Sequence, residues 1–78
     1  MKKTEPAHFV VCLDNKGYLA SLELGKIYRS IPDKKAEAEG LIRVVDESGE
    51  DYAFDAERFY PINLPAAVEK ALLEASRS

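Results

Sequence analysis

The side chains that could carry covalent or acid–base chemistry are few. His8 is the single histidine and Cys12 the single cysteine. Four apart on an extended segment, they share a face but stand ~13 Å apart along it. A thiol cannot hand its proton to an imidazole across that gap. Cys12 therefore reads as a small core residue and His8 as a surface residue. One histidine cannot complete a Ser-His-Asp or Cys-His set without an unusual base, and a zinc site needs more Cys and His than the chain holds. The other concentration of reactive groups is acidic, in "DESGEDYAFDAE", Asp46 to Glu57. A calcium loop places Gly sixth, with acids first, third and fifth. Here Gly49 stands fourth from Asp46 and Ser48 third, so the pattern fails. Weak surface contact of a divalent cation with Asp46, Glu50 and Asp51 is the most it offers. Gly25-Lys26 carries one Gly and one Lys, far from a phosphate-cradling loop. No enzyme activity and no cofactor are expected.

The chain has 78 residues, enough for one domain. So short a chain buries roughly 60–65% of its unfolded surface, which leaves little stability for a deep cleft or a strained site. Its composition, 46% apolar and 32% charged with four Gly and four Pro, is that of a globular protein. A net charge of −3 repels phosphate backbones and disfavours nucleic-acid binding. One cysteine allows no intramolecular disulfide and suits a reducing compartment. The basic start "MKKTEP" has no apolar run behind it long enough to be a signal core, and no segment is long enough to cross a bilayer. A cytoplasmic location follows as the expectation.

The elements that must position any site come next. Residues 1–7 read as a flexible arm. A strand is expected from His8 to Leu13, where consecutive apolar residues call for cover on both faces, ended by the turn signal "DNKG". A long irregular loop should follow, through "GYLASLELG". "KIYRSI" reads as a strand with Ile27 and Ile31 on one face and Arg29, Tyr28 and Ser30 on the other, stopped by Pro32. "DKKAEAEG" suits a helical turn capped by Asp33 and ended by Gly40 in the left-handed conformation.

"LIRVVDESGEDYAF" reads as a hairpin. A two-residue turn would set Val45 opposite Tyr52. A three-residue loop, Glu47-Ser48-Gly49, sets Val44 opposite Tyr52 and Ile42 opposite Phe54. It gathers four apolar side chains on one face and leaves Arg43 and Asp51 outside, so it is preferred. The acids then lie at a solvated tip, where they also blunt a sheet edge. "DAERF" suits one helical turn capped by Asp55, and "YPINL" a last short strand. "LPAAVEKALLEASR" reads as a helix from Pro65, with Leu64, Val68, Ala71, Leu72 and Ala75 as its apolar stripe.

Short strands, a long first loop, an acidic hairpin, a helical turn and a final strand make the order of an SH3-like barrel. "LELGKIYRSI", "LIRVVDESGEDYAF" and "AERFYPI" together resemble a family of small bacterial and phage proteins of unknown function. Its pattern is L-x-x-G-K-x-Y, then V-x-D-x-S-G-E-x-Y, then a Phe. The matching residues are Leu22, Gly25, Lys26, Tyr28, Val44, Asp46, Ser48, Gly49, Glu50, Tyr52 and Phe59. The resemblance spans about Phe9 to Leu64. It implies a fold and no established activity. The proline-reading SH3 domains are a more distant likeness, because their groove uses a tryptophan and this chain has none.

The expectation is therefore a mainly β fold: a small SH3-like five-stranded barrel over residues 8–64, with a short C-terminal α-helix over residues 65–78 packed on it. Its expected role is that of a non-enzymatic protein-interaction or regulatory module. Tyrosine joins apolar area to a polar tip and suits a binding face. The candidate face takes Tyr18, Tyr28, Tyr52, Arg58 and Tyr60, rimmed by Asp46, Glu50 and Asp51, and a basic protein partner would match it. A monomer is favoured over a homodimer. The competing reading is a nucleic-acid-binding barrel using Lys16, Lys26, Arg29, Lys34 and Lys35.

Overall fold

Glycine-marked turns and Pro32 separate five short strands among the described residues. The computed structural model describes residues 9–75. The expectations for the N-terminal arm, for His8 and for Arg77 lie outside them. The strands are β1 (Phe9–Cys12), β2 (Ile27–Ile31), β3 (Leu41–Val45), β4 (Asp51–Asp55) and β5 (Phe59–Ile62). They form one antiparallel sheet in the order β4-β3-β2-β1-β5. Helix α1 (Lys34–Ala38) joins β2 to β3, a 3-10 turn at Ala56–Arg58 joins β4 to β5, and α2 (Ala66–Ala75) follows β5. The fold is mainly β with a short C-terminal helix, in a small barrel-like globule, as the alternation and turn signals led one to expect.

Among the described residues the core is a cluster of Val10, Cys12, Leu22, Tyr28, Val44, Phe54 and Phe59, with Ile42 packed against it. Alternation turns Val10 and Cys12 inward from β1. Phe9, on the other face of β1, is also buried. It shares a hollow with Ile27 and Ile31 of β2 and Leu72 of α2. Both faces of β1 are thus covered, as its apolar run required.

Strand β2 corrects the sequence reading. Tyr28 and Ser30 are buried, while Ile27 and Arg29 are exposed and Ile31 is half-buried. A strict period of two puts Ile27, Arg29 and Ile31 together, so the expected grouping of Arg29 with Tyr28 and Ser30 could not hold. The phenol goes inward because its hydroxyl finds hydrogen-bond partners there.

Asp33 caps α1 as expected: its Oδ1 accepts from the Ala36 N–H at 3.1 Å, and its Oδ2 accepts from Arg43 Nε at 2.9 Å. Gly40 closes the segment at φ 77°. Asp55 does stand before the 3-10 turn, but its side chain makes no capping bond.

The face of α2 is a second correction. No residue of α2 is buried. Val68, Ala71 and Ala75 of the expected stripe are exposed, and the half-buried residues are Glu69, Leu72 and Leu73. Leu72 lines a hollow together with Phe9, Ile27 and Ile31, and Leu73 lines another with Arg29, Ile31 and Pro32. Both hollows include Arg29 and Ile31 of β2, so it is two adjacent leucines, and not the expected stripe, that α2 turns toward the sheet.

Candidate functional site

The β3–β4 hairpin organises the site. Its register pairs Val44 with Tyr52 and Ile42 with Phe54, across the three-residue loop that the apolar pattern favoured. The Gly49 N–H donates to the Asp46 carbonyl and the Asp46 N–H to the Glu50 carbonyl, both at 3.0 Å. Gly49 has φ +87°, a backbone conformation in which a side chain is strained.

The acids of this loop are not simply solvated, which corrects the expectation for the tip. Asp46 is 7% exposed. Its Oδ1 accepts from the Ser48 N–H at 2.8 Å and from Ser48 Oγ at 2.6 Å, a local bond that shapes the turn. Glu47 reaches back to the first loop. Its carboxylate accepts from Lys26 Nζ at 2.7 Å and from the Tyr28 hydroxyl at 2.5 Å, while its N–H donates to the Ser21 carbonyl. The Tyr28 hydroxyl in turn accepts from the Glu23 N–H at 2.8 Å. Glu50 accepts from the Tyr52 hydroxyl at 2.9 Å, and Asp51 from Arg43 Nη1 at 3.2 Å.

These bonds clasp the first loop to the hairpin. Lys26 beside Glu47 holds that carboxyl below its ordinary range, helped by the Tyr28 hydroxyl. Burial, reinforced by Glu47, pushes the Tyr28 phenol far up.

A shallow hollow opens where loop and hairpin meet. It is lined by Tyr18 and Ser21 of the first loop, Tyr52, Ala53 and Phe54 of β4, and Asp46 and Ser48 of the hairpin turn. Phe54 is buried, and the Tyr18 ring sits edge-on to it at 5.1 Å. The Arg58 guanidinium lies 4.8 Å from the Tyr18 ring centre, and Arg58 Nη1 donates to the Asp14 carbonyl at 3.3 Å. Tyr18 is 40% exposed and Tyr52 48%. Both rings are steadied, one by Phe54 and Arg58 and the other by Glu50.

Tyr18, Tyr52 and Asp46 therefore line one hollow, with Arg58 against the Tyr18 ring and Glu50 on the Tyr52 hydroxyl. Tyr28 does not join them, because it is in the core. Tyr60 does not join them either: it pairs with Val11 on β1 and is 62% exposed on the opposite face of the sheet from buried Phe59. Asp51 points with Arg43 to the outer side of the hairpin. Ser21 and Ala53 line the hollow without having been singled out in the sequence. Neither carries a local signal, since only the fold of the first loop brings Ser21 to the hairpin.

Cys12 is a buried free thiol, held protonated by that burial. The Ser48 hydroxyl is engaged by Asp46. Among the described residues, no group of three or more His, Cys, Asp or Glu side chains is placed to hold a metal. Asp46, Glu50 and Asp51 each turn to a different partner instead of converging. Among the same residues no helix is long and apolar enough to cross a membrane. No family model, no curated protein and no solved structure matches the chain.

Proposed function

We propose that the chain is a small non-enzymatic protein-interaction or regulatory module of SH3-like fold, with the Tyr18–Tyr52 hollow as its binding face. The observation that carries this reading is the pair of half-exposed tyrosines held in place over a hollow. Steadied aromatic rings lose little rotamer freedom on binding, and such anchors dominate interface energetics. The acids beside them and the net charge of −3 favour a basic partner. The strand order, the long first loop and the 3-10 turn between β4 and β5 support the SH3-like assignment. Residues of the sequence pattern that suggested it, Lys26, Tyr28, Asp46, Ser48, Gly49 and Glu50, build the clasp or the turn. They read as a signature of the fold more than of a ligand.

The nucleic-acid reading is weaker. Lys26 is already held by Glu47 and lies over the Tyr28 ring at 5.5 Å. The free, buried Cys12 fits a reducing compartment, and the reading takes the chain as a cytoplasmic monomer.

Selection from a random peptide library tests the proposal, run in parallel on the wild type and on the folded double variant Tyr18→Ala, Tyr52→Ala. Basic peptides recovered by the wild type and lost by the variant support it. Recovery that is indifferent to both tyrosines overturns it.

A further inference from the structure

The hollow meets open backbone at the edge of β4. That strand ends the sheet order, so among the described residues only its β3 side is paired. The bond from the Asp46 N–H to the Glu50 carbonyl fixes which pairs of the hairpin are hydrogen-bonded. Antiparallel ladders alternate, so Val44–Tyr52 and Ile42–Phe54 are the next such pairs. Asp51, Ala53 and Asp55 sit opposite Val45, Arg43 and Leu41 in the intervening pairs. Their N–H and C=O groups consequently turn away from β3, toward the free edge. The same stretch, Tyr52 to Phe54, lines the hollow that faces Tyr18.

Exposed edges are commonly defended by proline, lysine or a bulge. β4 has none of these in its five residues. Its defence is Asp51 and Asp55, flanking the small Ala53. Asp51 is shared with Arg43, and its side chain is still 46% exposed. Asp55 is exposed and makes no capping bond. Two carboxylates at this spacing repel an acidic strand or a second copy of the same edge. They attract a strand that carries cations at the matching spacing.

We propose that β4 accepts an extended basic peptide as an added strand, with lysine or arginine opposite Asp51 and Asp55 and a β-branched residue opposite Ala53. This inference rests on the interaction reading above and specifies its ligand class and binding mode. Backbone pairing supplies the attachment, and alternate side chains supply the selection. The intervening peptide residues fall on the inner side of β4, where Tyr52 and Tyr18 stand.

The probe is a short capped peptide of alternating pattern, with lysines spaced as Asp51 and Asp55 are, and a counterpart with glutamate at both places. Amide hydrogen exchange and backbone NMR shifts are read on the full chain. The lysine peptide should slow exchange of the Ala53 and Asp55 amides by ~10-fold or more, and the glutamate peptide should leave them unchanged. Ala53→Pro is compatible with a free edge and should weaken the lysine peptide by about tenfold or more. Asp55→Lys should shift the preference toward the glutamate peptide. Absence of protection at Ala53 and Asp55 with the lysine peptide overturns the proposal. If a selected peptide still depends on Tyr18 and Tyr52 while these amides stay unprotected, edge pairing fails and the interaction reading stands. If no peptide depends on the tyrosines, the interaction reading itself fails.

Discussion

The Tyr28 hydroxyl donates to Glu47 Oε2 across 19 positions of sequence, and it joins the buried end of β2 to the hairpin loop. The Tyr28 hydroxyl oxygen also accepts from the Glu23 N–H, so one phenol satisfies two loops. Tyr28→Phe removes both partners while leaving the ring in place. The expected cost is about 1–2 kcal/mol in urea denaturation, the penalty for part-buried polar groups left unpaired. Tyr60→Phe, on an exposed ring, should stay within about 0.5 kcal/mol.

Stability should fall at both ends of the pH range. Glu47 lies below its ordinary value of 4.5 because of Lys26 first and Tyr28 second. Asp33 lies below 3.8 because of Arg43 first and the Ala36 N–H second. A depressed carboxyl stabilises the fold above its unfolded value, and that contribution is lost as pH falls through the lower folded value. Denaturation midpoints should therefore drop below about pH 4.5. Tyr28 is shifted upward, chiefly by burial, from an ordinary value of 10.0. Its contribution is intact below that value and is lost as pH rises beyond it. Phenolate absorbance should show one tyrosine ionising only together with unfolding.

Gly49→Ala should cost about 1–2 kcal/mol, the strain of a side chain at positive φ. A Cβ there meets nothing within 4 Å, so the cost is in the backbone and not in a clash. Gly49→Asn should cost less, because asparagine tolerates this conformation. Paired thermal melts of the two variants check the order.

The hairpin was legible because, of the two loop lengths Gly49 admits, the three-residue loop alone gathers Ile42, Val44, Tyr52 and Phe54 on one face, and that is the register observed. The roles of Asp46 and Glu47 were not. Composition marks them as solvated acids, whereas Glu47 acts on Lys26 and Tyr28, which are remote in sequence. Tyr28 was misplaced for the same reason: a tyrosine is drawn into a core only if its hydroxyl has a partner there. Tyr18 and Tyr52 were found as candidates by residue type alone, and their steadying by Phe54, Arg58 and Glu50 needed the fold. The α2 face misled because helical periodicity describes a helix and not the surface it meets.

Helix α2 should matter less to stability than an amphipathic stripe suggests. Its contact rests on two half-buried leucines, Leu72 and Leu73. Truncation before Ala66 should cost about 2 kcal/mol, roughly half the value of burying two leucines fully. A guanidinium titration of the truncated chain checks this. A loss of about 4 kcal/mol or more would mean that α2 is an integral part of the core.

The binding face is tested most directly by mapping amide shifts of the labelled chain against a peptide recovered from the library. Shifts should concentrate at Tyr18, Ser21, Ser48 and Tyr52 to Phe54. Shifts concentrated instead at Val11, Ile27 and Tyr60, on the opposite face of the sheet, or at Arg29, Lys34 and Lys35, would contradict the assignment of this hollow as the binding face.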